Sequence, residues 1–273
     1  MDALKPSIHE FLFPWLQTDN NSHFGLAVLV FAIYYSAVCI LWIRKANGEG
    51  SLPTLRSISG LDALDEAIGR ATEMGRPVLF NMAGGGSSGM AAQAILGYTA
   101  TRTARYDTRM MTVTRNERMI PMAESTLREA YTAADKPDSP TIKDVRFLSS
   151  DQFTFATGVV GLLHREQCAA HLIFGDYYAE SLILAEGGCD IGAIQVAGTT
   201  NNIQTPFFIA CCDYTLLAEE IYVASAYLTK DRTRIATIVT QEYGKIFFFV
   251  LIVLGTLLNT FGISIIEDLL TLY

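Results

Sequence analysis

A short glycine-rich segment has the composition of a phosphate-binding turn. Residues 84–89 are Gly-Gly-Gly-Ser-Ser-Gly, which fits the pattern G-x-G-x-x-G. The apolar run Pro77–Met82 precedes it and predicts a strand, and a helical pattern follows it. A glycine backbone lets a phosphate come close, and a helix start offers unpaired N–H groups. Gly84, Gly86 and Gly89 are therefore candidate ligand-binding residues, although a glycine-rich turn without a ligand fits the same residues.

The residues after the next predicted strand indicate the kind of ligand. A site for a nicotinamide cofactor would place Asp or Glu about 20 residues beyond the glycines. Here the chain has Arg115 and Arg118. Guanidinium groups suit a phosphate-bearing ligand. We therefore take Arg115 as a candidate phosphate contact and predict no cofactor.

A second polar cluster follows the predicted strand Ile191–Ala197. Thr199, Asn201 and Gln204 lie in this segment, just after Gly198. Ligands of open α/β sheets bind beyond the carboxyl ends of the strands, so these three side chains are candidates for contact with a polar ligand. A surface loop with internally satisfied polar groups is the alternative.

The remaining reactive residues do not define a reaction. The five cysteines include no Cys-x-x-Cys pair, and His164, Cys168 and His171 straddle a predicted helix-to-strand boundary, so we predict no metal site. Glu180 and Glu186 lie on a predicted helix, where solvated carboxylates are common. The order of residues does not fit a Ser-His-Asp triad, a nucleophile elbow or a Walker loop. Whether the protein is an enzyme stays open.

Strand and helix patterns alternate through the middle of the chain, which predicts crossover units. The predicted strands are Pro77–Met82, Arg109–Thr114, Val145–Leu148, Ala169–Phe174, Ile191–Ala197 and Pro206–Cys212. The predicted helices are Leu61–Met74, Met90–Tyr106, Glu117–Ala134, Gln152–His164, Tyr177–Glu186 and Leu216–Leu228. The fold class is therefore α/β, with a mostly parallel layered sheet that is Rossmann-like.

Two apolar runs, Phe24–Ile43 and Ile246–Ile266, enclose this domain. Each contains about 20 residues without a charge, which is long enough to cross a membrane as a helix. The predicted organisation is an interfacial tail at 1–23, transmembrane helices at 24–43 and 246–266, an α/β domain at 44–245, and a short tail at 267–273.

The distribution of charge predicts the topology and limits the partners. Every Lys and Arg except Lys5 lies between the two runs, and basic residues near a span favour the cytoplasmic side. We expect a cytoplasmic domain on the inner membrane, extracytoplasmic termini and contact with lipid. The formal net charge of -8 argues against a nucleic-acid-binding protein.

Four stretches carry a resemblance to a known family: Gly60–Val78, Ala179–Glu186, Gly192–Thr199 and Pro206–Tyr214. Together they resemble a prokaryotic, membrane-anchored family described only as a domain of unknown function. The resemblance implies a prokaryotic origin and two membrane anchors, and it implies no activity. It also implies that Gly198, Thr199 and the segment Gln204–Pro206 belong to the shared pattern, whereas the glycines at 84–89 do not.

Two functions therefore remain. The first is an oligomeric membrane scaffold or accessory subunit, because double tethering makes weak lateral contacts effective. The second is a membrane-bound enzyme or sensor that binds a phosphorylated small molecule at the glycine-rich segment. The sequence favours the first.

Overall fold

The computed structural model describes residues 22–47, 59–229 and 231–260. The predicted N-terminal tail up to residue 21, part of the linker at 48–58 and the C-terminal residues 261–273 lie outside these ranges. The chain divides into two units. One contains the described helices near the two ends, and the other is the domain Thr54–Asp231.

The domain alternates strands and helices, as the pattern predicts. Its strands are β1 (Val78–Ala83), β2 (Met110–Thr114), β3 (Val145–Phe147), β4 (Ala170–Gly175), β5 (Ile194–Thr199) and β6 (Tyr214–Leu217). Its α-helices are α2 (Ser59–Met74), α3 (Gly86–Tyr106), α4 (Ile120–Ala133), α5 (Gln152–Glu166), α6 (Ser181–Asp190), α7 (Thr205–Cys211) and α8 (Glu220–Thr229). Short 3-10 helices occupy Glu117–Met119 and Pro140–Lys143. The domain is therefore an α/β domain, as expected.

The six strands form one parallel sheet in the order β3-β2-β1-β4-β5-β6. This is the strand order of doubly wound, dinucleotide-binding folds. Strands β1, β2, β4 and β5 are buried along their full length, as expected for a parallel sheet covered by helices on both faces. The expectation of a mostly parallel sheet is confirmed, and all six described strands are parallel.

Successive side chains along β1 point to opposite faces and divide the core in two. Phe80 and Met82 pack with helices α2, α3, α4 and α8. Leu79 and Ala83 pack with α5, α6 and α7. Burying a large apolar side chain such as Phe80 contributes about 1.5–3 kcal/mol. These two clusters hold the helices on opposite sides of the sheet.

The structure corrects the prediction of a strand at Pro206–Cys212. This segment forms helix α7, and the last strand is Tyr214–Leu217, which we expected to be loop and the start of a helix. A short apolar run does not distinguish a strand from a buried helix. Pro206 lies in the first turn of α7, where its missing N–H costs nothing. Only Phe208 of the apolar run is fully buried.

A second correction concerns Gly187 and Gly188, which directly follow the predicted helix Tyr177–Glu186 and were expected to end it. They lie inside α6. A Cβ on Gly188 would lie 2.2 Å from Oε1 of Gln195, and one on Gly187 would lie 2.6 Å from Cγ2 of Val160. Glycine at these two positions therefore lets α6 pack tightly against its neighbours.

The other unit contains helices α1 (Ser22–Asn47) and α9 (Arg232–Thr260), which pack through aromatic side chains. Phe31 contacts Phe248 with ring centroids 4.7 Å apart, and Trp42 contacts Tyr243 at 5.7 Å. Among the described residues, the segment Arg232–Leu257 is the one long and apolar enough to cross a membrane. The end of the predicted second span, beyond Thr260, lies outside the described residues.

Candidate functional site

The candidate site lies at the carboxyl edge of the sheet, where the winding reverses. The helix after β1, α3, lies on one face of the sheet, whereas the helix after β4, α6, lies on the other. Because β1 and β4 are neighbours, the connections that follow them diverge, which in open α/β sheets forms a crevice beyond the strand ends. Ligands of open α/β sheets bind at this position.

Two glycines allow the ends of β1 and β4 to come close together. Gly84 has φ +87° and Gly175 has φ +129°, a region that favours glycine. A Cβ on Gly175 would lie 1.9 Å from the carbonyl oxygen of Ala83. A Cβ on Gly84 would lie 3.0 Å from the Cβ of Asp176. Larger residues would separate the two strand ends.

Helix α3 begins inside the glycine-rich segment, at Gly86, whereas we expected a loop as far as Gly89. Its N-cap is Gly85, which provides no side-chain hydrogen bond, so no side chain caps the first turn. A Cβ on Gly89 would lie 3.4 Å from the carbonyl oxygen of Gly84. Gly84 thus makes the turn and Gly89 allows close packing, which are two of the three glycine roles in the dinucleotide fingerprint.

Asp176, directly after β4, connects the two predicted loops. Its Oδ2 accepts a hydrogen bond of 2.5 Å from Oγ of Ser88, in the first turn of α3. Its Oδ1 accepts another of 2.5 Å from Oγ1 of Thr200, just after β5. The carboxylate therefore lies in the crevice between the glycine-rich segment and the second polar cluster.

Arg115 reaches across the same edge to an acidic partner. It follows β2, and its Nη1 lies 2.5 Å from Oε1 of Glu180, which precedes α6. The Glu180 side chain is 0% exposed and that of Arg115 is 14% exposed. Because β1 lies between β2 and β4, this ion pair crosses the edge of the sheet beyond β1. A guanidinium has five N–H donors, so one ion pair leaves donors for a ligand.

The polar residues of the second cluster mainly hold their own loop together. Thr199, the last residue of β5, accepts a hydrogen bond from the backbone N–H of Asn201 at 3.1 Å. Asn201 donates to the carbonyl of Tyr177 at 3.0 Å and accepts from the N–H of Ile203. Gln204 accepts from the hydroxyl of Ser181 at 2.8 Å. These bonds fit the alternative of an internally satisfied loop, and the ligand role of these three residues stays a prediction.

A buried tyrosine supports the floor of the crevice. Tyr177 donates to the carbonyl oxygen of Asn81 at 2.9 Å, and its ring packs edge-on against Phe208. Burial, reinforced by the charge of Glu180, raises the pKa of Tyr177 well above its usual value. The Nδ2 of Asn81 is buried without a hydrogen-bond partner, whereas its Oδ1 lies 3.1 Å from the Tyr177 hydroxyl. The pair is therefore a structural support.

Sequence reasoning missed Asp176 and took Glu180 for a solvated carboxylate. The available signal was the position of Asp176, an acid directly after a buried strand and a glycine. Its contacts with Ser88 and Thr200 depend on the strand order, which periodicity does not predict. His164, Cys168 and His171 do not belong to the crevice. Within the described ranges, no three His, Cys, Asp or Glu side chains are placed to hold a metal ion.

The strand order, with helices that change face between β1 and β4, defines a doubly wound α/β protein. The chain belongs to the family described as "Domain of unknown function (DUF6754)", whose model matches residues 18–270. This match agrees with the resemblance to a family of unknown function. Searches for similar curated proteins and for similar solved structures found no match.

Proposed function

We propose that this protein is a membrane-anchored sensor whose α/β domain binds a phosphorylated small molecule in the crevice beyond β1 and β4. The observation that carries the proposal is the position of Asp176, hydrogen-bonded to Ser88 on one side and Thr200 on the other. Two loops chosen independently from the sequence thus meet at one carboxylate, at the position where this type of fold binds ligands.

The chemistry of the crevice favours a ligand that carries both a phosphate and hydroxyl groups. The uncapped first turn of α3 offers N–H groups and the positive end of a 21-residue helix. The remaining donors of Arg115 suit a phosphate. The carboxylate of Asp176 accepts one hydrogen bond on each oxygen, and a carboxylate has about four acceptor sites, so it retains sites for the hydroxyls of a sugar. A sugar phosphate or a nucleotide meets all three requirements.

The location proposed for this sensor is the inner membrane. Helix α9 contains an apolar segment long enough to cross it, and α1 contains the uncharged run Phe24–Ile43. Arg44 and Lys45 follow this run, and Arg232 and Arg234 begin α9. Basic residues at these ends support a domain in the cytoplasm. Both termini would then be extracytoplasmic.

The direct test is to purify the full chain from native membranes in mild detergent and to identify bound small molecules by native mass spectrometry. We expect a phosphorus-containing molecule on the wild-type protein and at least tenfold lower occupancy on Asp176→Asn. The matched control is Asp107→Asn, which removes a carboxylate at an exposed position with φ 58°, where Asn is well tolerated. A wild-type protein without such a molecule, or equal occupancy in the two variants, would contradict the proposal.

Apolar side chains exposed near α7 support a second candidate function, the oligomeric scaffold or accessory subunit. Ile203 is 77% exposed, Ile209 55% and Phe207 41%. These three side chains belong to one short segment of the chain, and exposed apolar groups are typical of protein-protein contacts. Cross-linking in membranes should then give a defined ladder of homo- or hetero-oligomers, and Ile203→Ser with Ile209→Ser should weaken it. A protein that stays monomeric across cross-linkers and detergents would exclude this function.

A further inference from the structure

The contacts between α1 and α9 define how the two helices are aligned. Tyr35 lies opposite Gly244, where a Cβ would come within 3.5 Å of the tyrosine ring. Phe31 lies opposite Phe247 and Phe248, with centroid distances of 5.7 Å and 4.7 Å. A move of four residues toward the N-terminus of α1, from Tyr35 to Phe31, therefore corresponds to a move of three or four residues toward the C-terminus of α9. The helices are antiparallel, and this correspondence holds around Tyr35, close to the middle of the uncharged run of α1.

The sequence of α1 allows one placement in a membrane. Its uncharged run Phe24–Ile43 is preceded by the polar residues Asp19–Asn21 and followed by Arg44 and Lys45. At 1.5 Å per residue, the run has about the length of the 30 Å hydrocarbon layer. A shift of half a span in either direction would put charges into that layer, so α1 defines where the membrane lies.

The register transfers this placement to α9. Gly244 lies opposite Tyr35, which is close to the middle of the uncharged run of α1, so Gly244 is placed near the middle of the layer. About ten residues on either side of Gly244 span the layer, so α9 crosses it within the segment Arg232–Leu257. This crossing begins about ten residues earlier than the predicted span Ile246–Ile266.

An ion pair consequently lies within the hydrocarbon layer. Glu242 and Lys245 are eight and eleven residues beyond Arg234, which is about 12 and 16 Å along the helix. Nζ of Lys245 lies 2.9 Å from Oε1 of Glu242, and their side chains are 47% and 59% exposed on the surface of the helix pair. Charged side chains inside a membrane are costly when they face lipid, and they mark sites of interaction.

We propose that Glu242 and Lys245 join two copies of this chain inside the membrane through reciprocal ion pairs. The surface is self-complementary, because it offers an acid and a base about one helical turn apart. A copy related by a twofold axis places each acid opposite the partner's base. The exposed side chains of Phe249, Ile252 and Val253 continue the same contact along α9. The inference rests on the proposed membrane anchoring and not on the crevice.

The test exchanges the two charges and asks which chains associate. Glu242→Lys with Lys245→Glu preserves the net charge and the pair within one helix, but places like charges against a wild-type copy. Wild-type and exchanged chains with different tags are expressed together and purified through one tag. We expect each form to associate with itself and mixed pairs to fall at least fivefold below random mixing. Random mixing of the two forms would overturn the proposal.

Control variants make every outcome decisive. Asp107→Lys with Lys136→Glu exchanges an ion pair on the α/β domain, and this variant should mix freely with wild type. If the exchanged chain does not accumulate, the neutral pair Glu242→Gln with Lys245→Met should lower the cross-linked dimer at least fivefold, and an unchanged dimer would overturn the proposal. A wild-type chain that is monomeric in membranes would overturn it too. Release of the wild type by alkaline carbonate would refute the membrane anchoring itself.

Discussion

The glycine-rich turn after β1 and the polar loop after β5 were both candidates for ligand contact, and the resemblance favoured the second, yet their structures differ. At the first, Gly84 has φ +87° and no side chain caps the start of α3. At the second, Thr199, Asn201 and Gln204 each have a hydrogen-bond partner within the chain. The first leaves backbone groups open to a ligand, whereas the second uses its side chains to stabilise itself.

This difference shows that polar residue types alone do not identify a binding loop. Each hydrogen bond inside the chain removes a donor or an acceptor from a ligand. The two serines of the glycine turn are also bonded within the chain, Ser87 to Tyr222 and Ser88 to Asp176, but no side chain caps the backbone N–H groups at the start of α3. Asp176 joins the two regions, and the loop after β5 then serves to position Thr200 beside that carboxylate.

The largest expected effect tests the close approach of β1 and β4. Gly175→Ala should destabilise the protein by about 5 kcal/mol, because the new Cβ would lie 1.9 Å from the carbonyl oxygen of Ala83 at φ +129°. The control is Gly161→Ala in α5, where nothing lies within 4 Å and stability should rise by about 0.5–1 kcal/mol. Denaturant unfolding of the full chain in detergent, followed by circular dichroism, measures both. Equal effects would mean that the strand ends are not held together.

The next effect concerns the ion pair that crosses the edge beyond β1. Glu180→Gln should cost about 3 kcal/mol, because it leaves the guanidinium of Arg115, which is only 14% exposed, without its charged partner. Glu180→Leu with Arg115→Met should recover most of this loss. Lys136→Ala, which breaks an exposed pair with Asp107, should cost less than about 1 kcal/mol. A similar small cost for Glu180→Gln would show that the pair does not hold the crevice.

A buried histidine outside the crevice tests whether a buried polar side chain takes part in ligand binding simply because it is buried. His171, in β4, has a pKa lowered to about 4 from 6.5 by burial. Between pH 6.5 and 4 the unfolded chain binds a proton that the folded chain excludes. The free energy of unfolding therefore decreases as the pH is lowered through this window, by about 3 kcal/mol in total. His171→Gln should remove that part of the pH dependence and leave ligand occupancy unchanged. Urea titrations at pH 7, 5.5 and 4 compare the two proteins, and parallel pH profiles would contradict the assignment.

The smallest effect tests the loop after β5. Thr199→Val with Gln204→Leu should lower stability by about 1–3 kcal/mol, because the N–H of Asn201 and the hydroxyl of Ser181 lose their acceptors. Ligand occupancy of the molecules that stay folded should not change. Thermal melting together with native mass spectrometry separates the two effects. Loss of ligand without loss of stability would return this loop to the binding site.

The fold class was predictable from the sequence, whereas the order of the strands was not. Buried parallel strands are short apolar runs, and glycines such as Gly75 mark the ends of the neighbouring elements. These local signals located β1 to β5. The prediction of a strand at Pro206–Cys212 was wrong, because an apolar run of that length is too short for its periodicity to distinguish a strand from a helix. In α6, the packing of Gly187 and Gly188 against distant residues overrode a local stop signal.

The candidate site was predictable only in part for the same reason. The glycine pattern and Arg115 are local signals, and both lie at the crevice. The roles of Asp176 and Glu180 depend on long-range contacts. Asp176 contacts Ser88 across a sequence separation of 88 residues, and Glu180 contacts Arg115 across a separation of 65 residues. Contacts of that range follow from the strand order, which no local signal of the sequence provides.

The most direct measurement is an electron cryomicroscopy structure of the full chain purified from native membranes in mild detergent. Our account predicts density for a phosphorylated molecule beyond Gly84, in contact with the first turn of α3, Arg115 and Asp176. It also predicts that a structure of Asp176→Asn prepared in the same way lacks this density. A wild-type crevice that is empty, with the exposed side chains of α7 covered by another subunit, would contradict the sensor and support a scaffold.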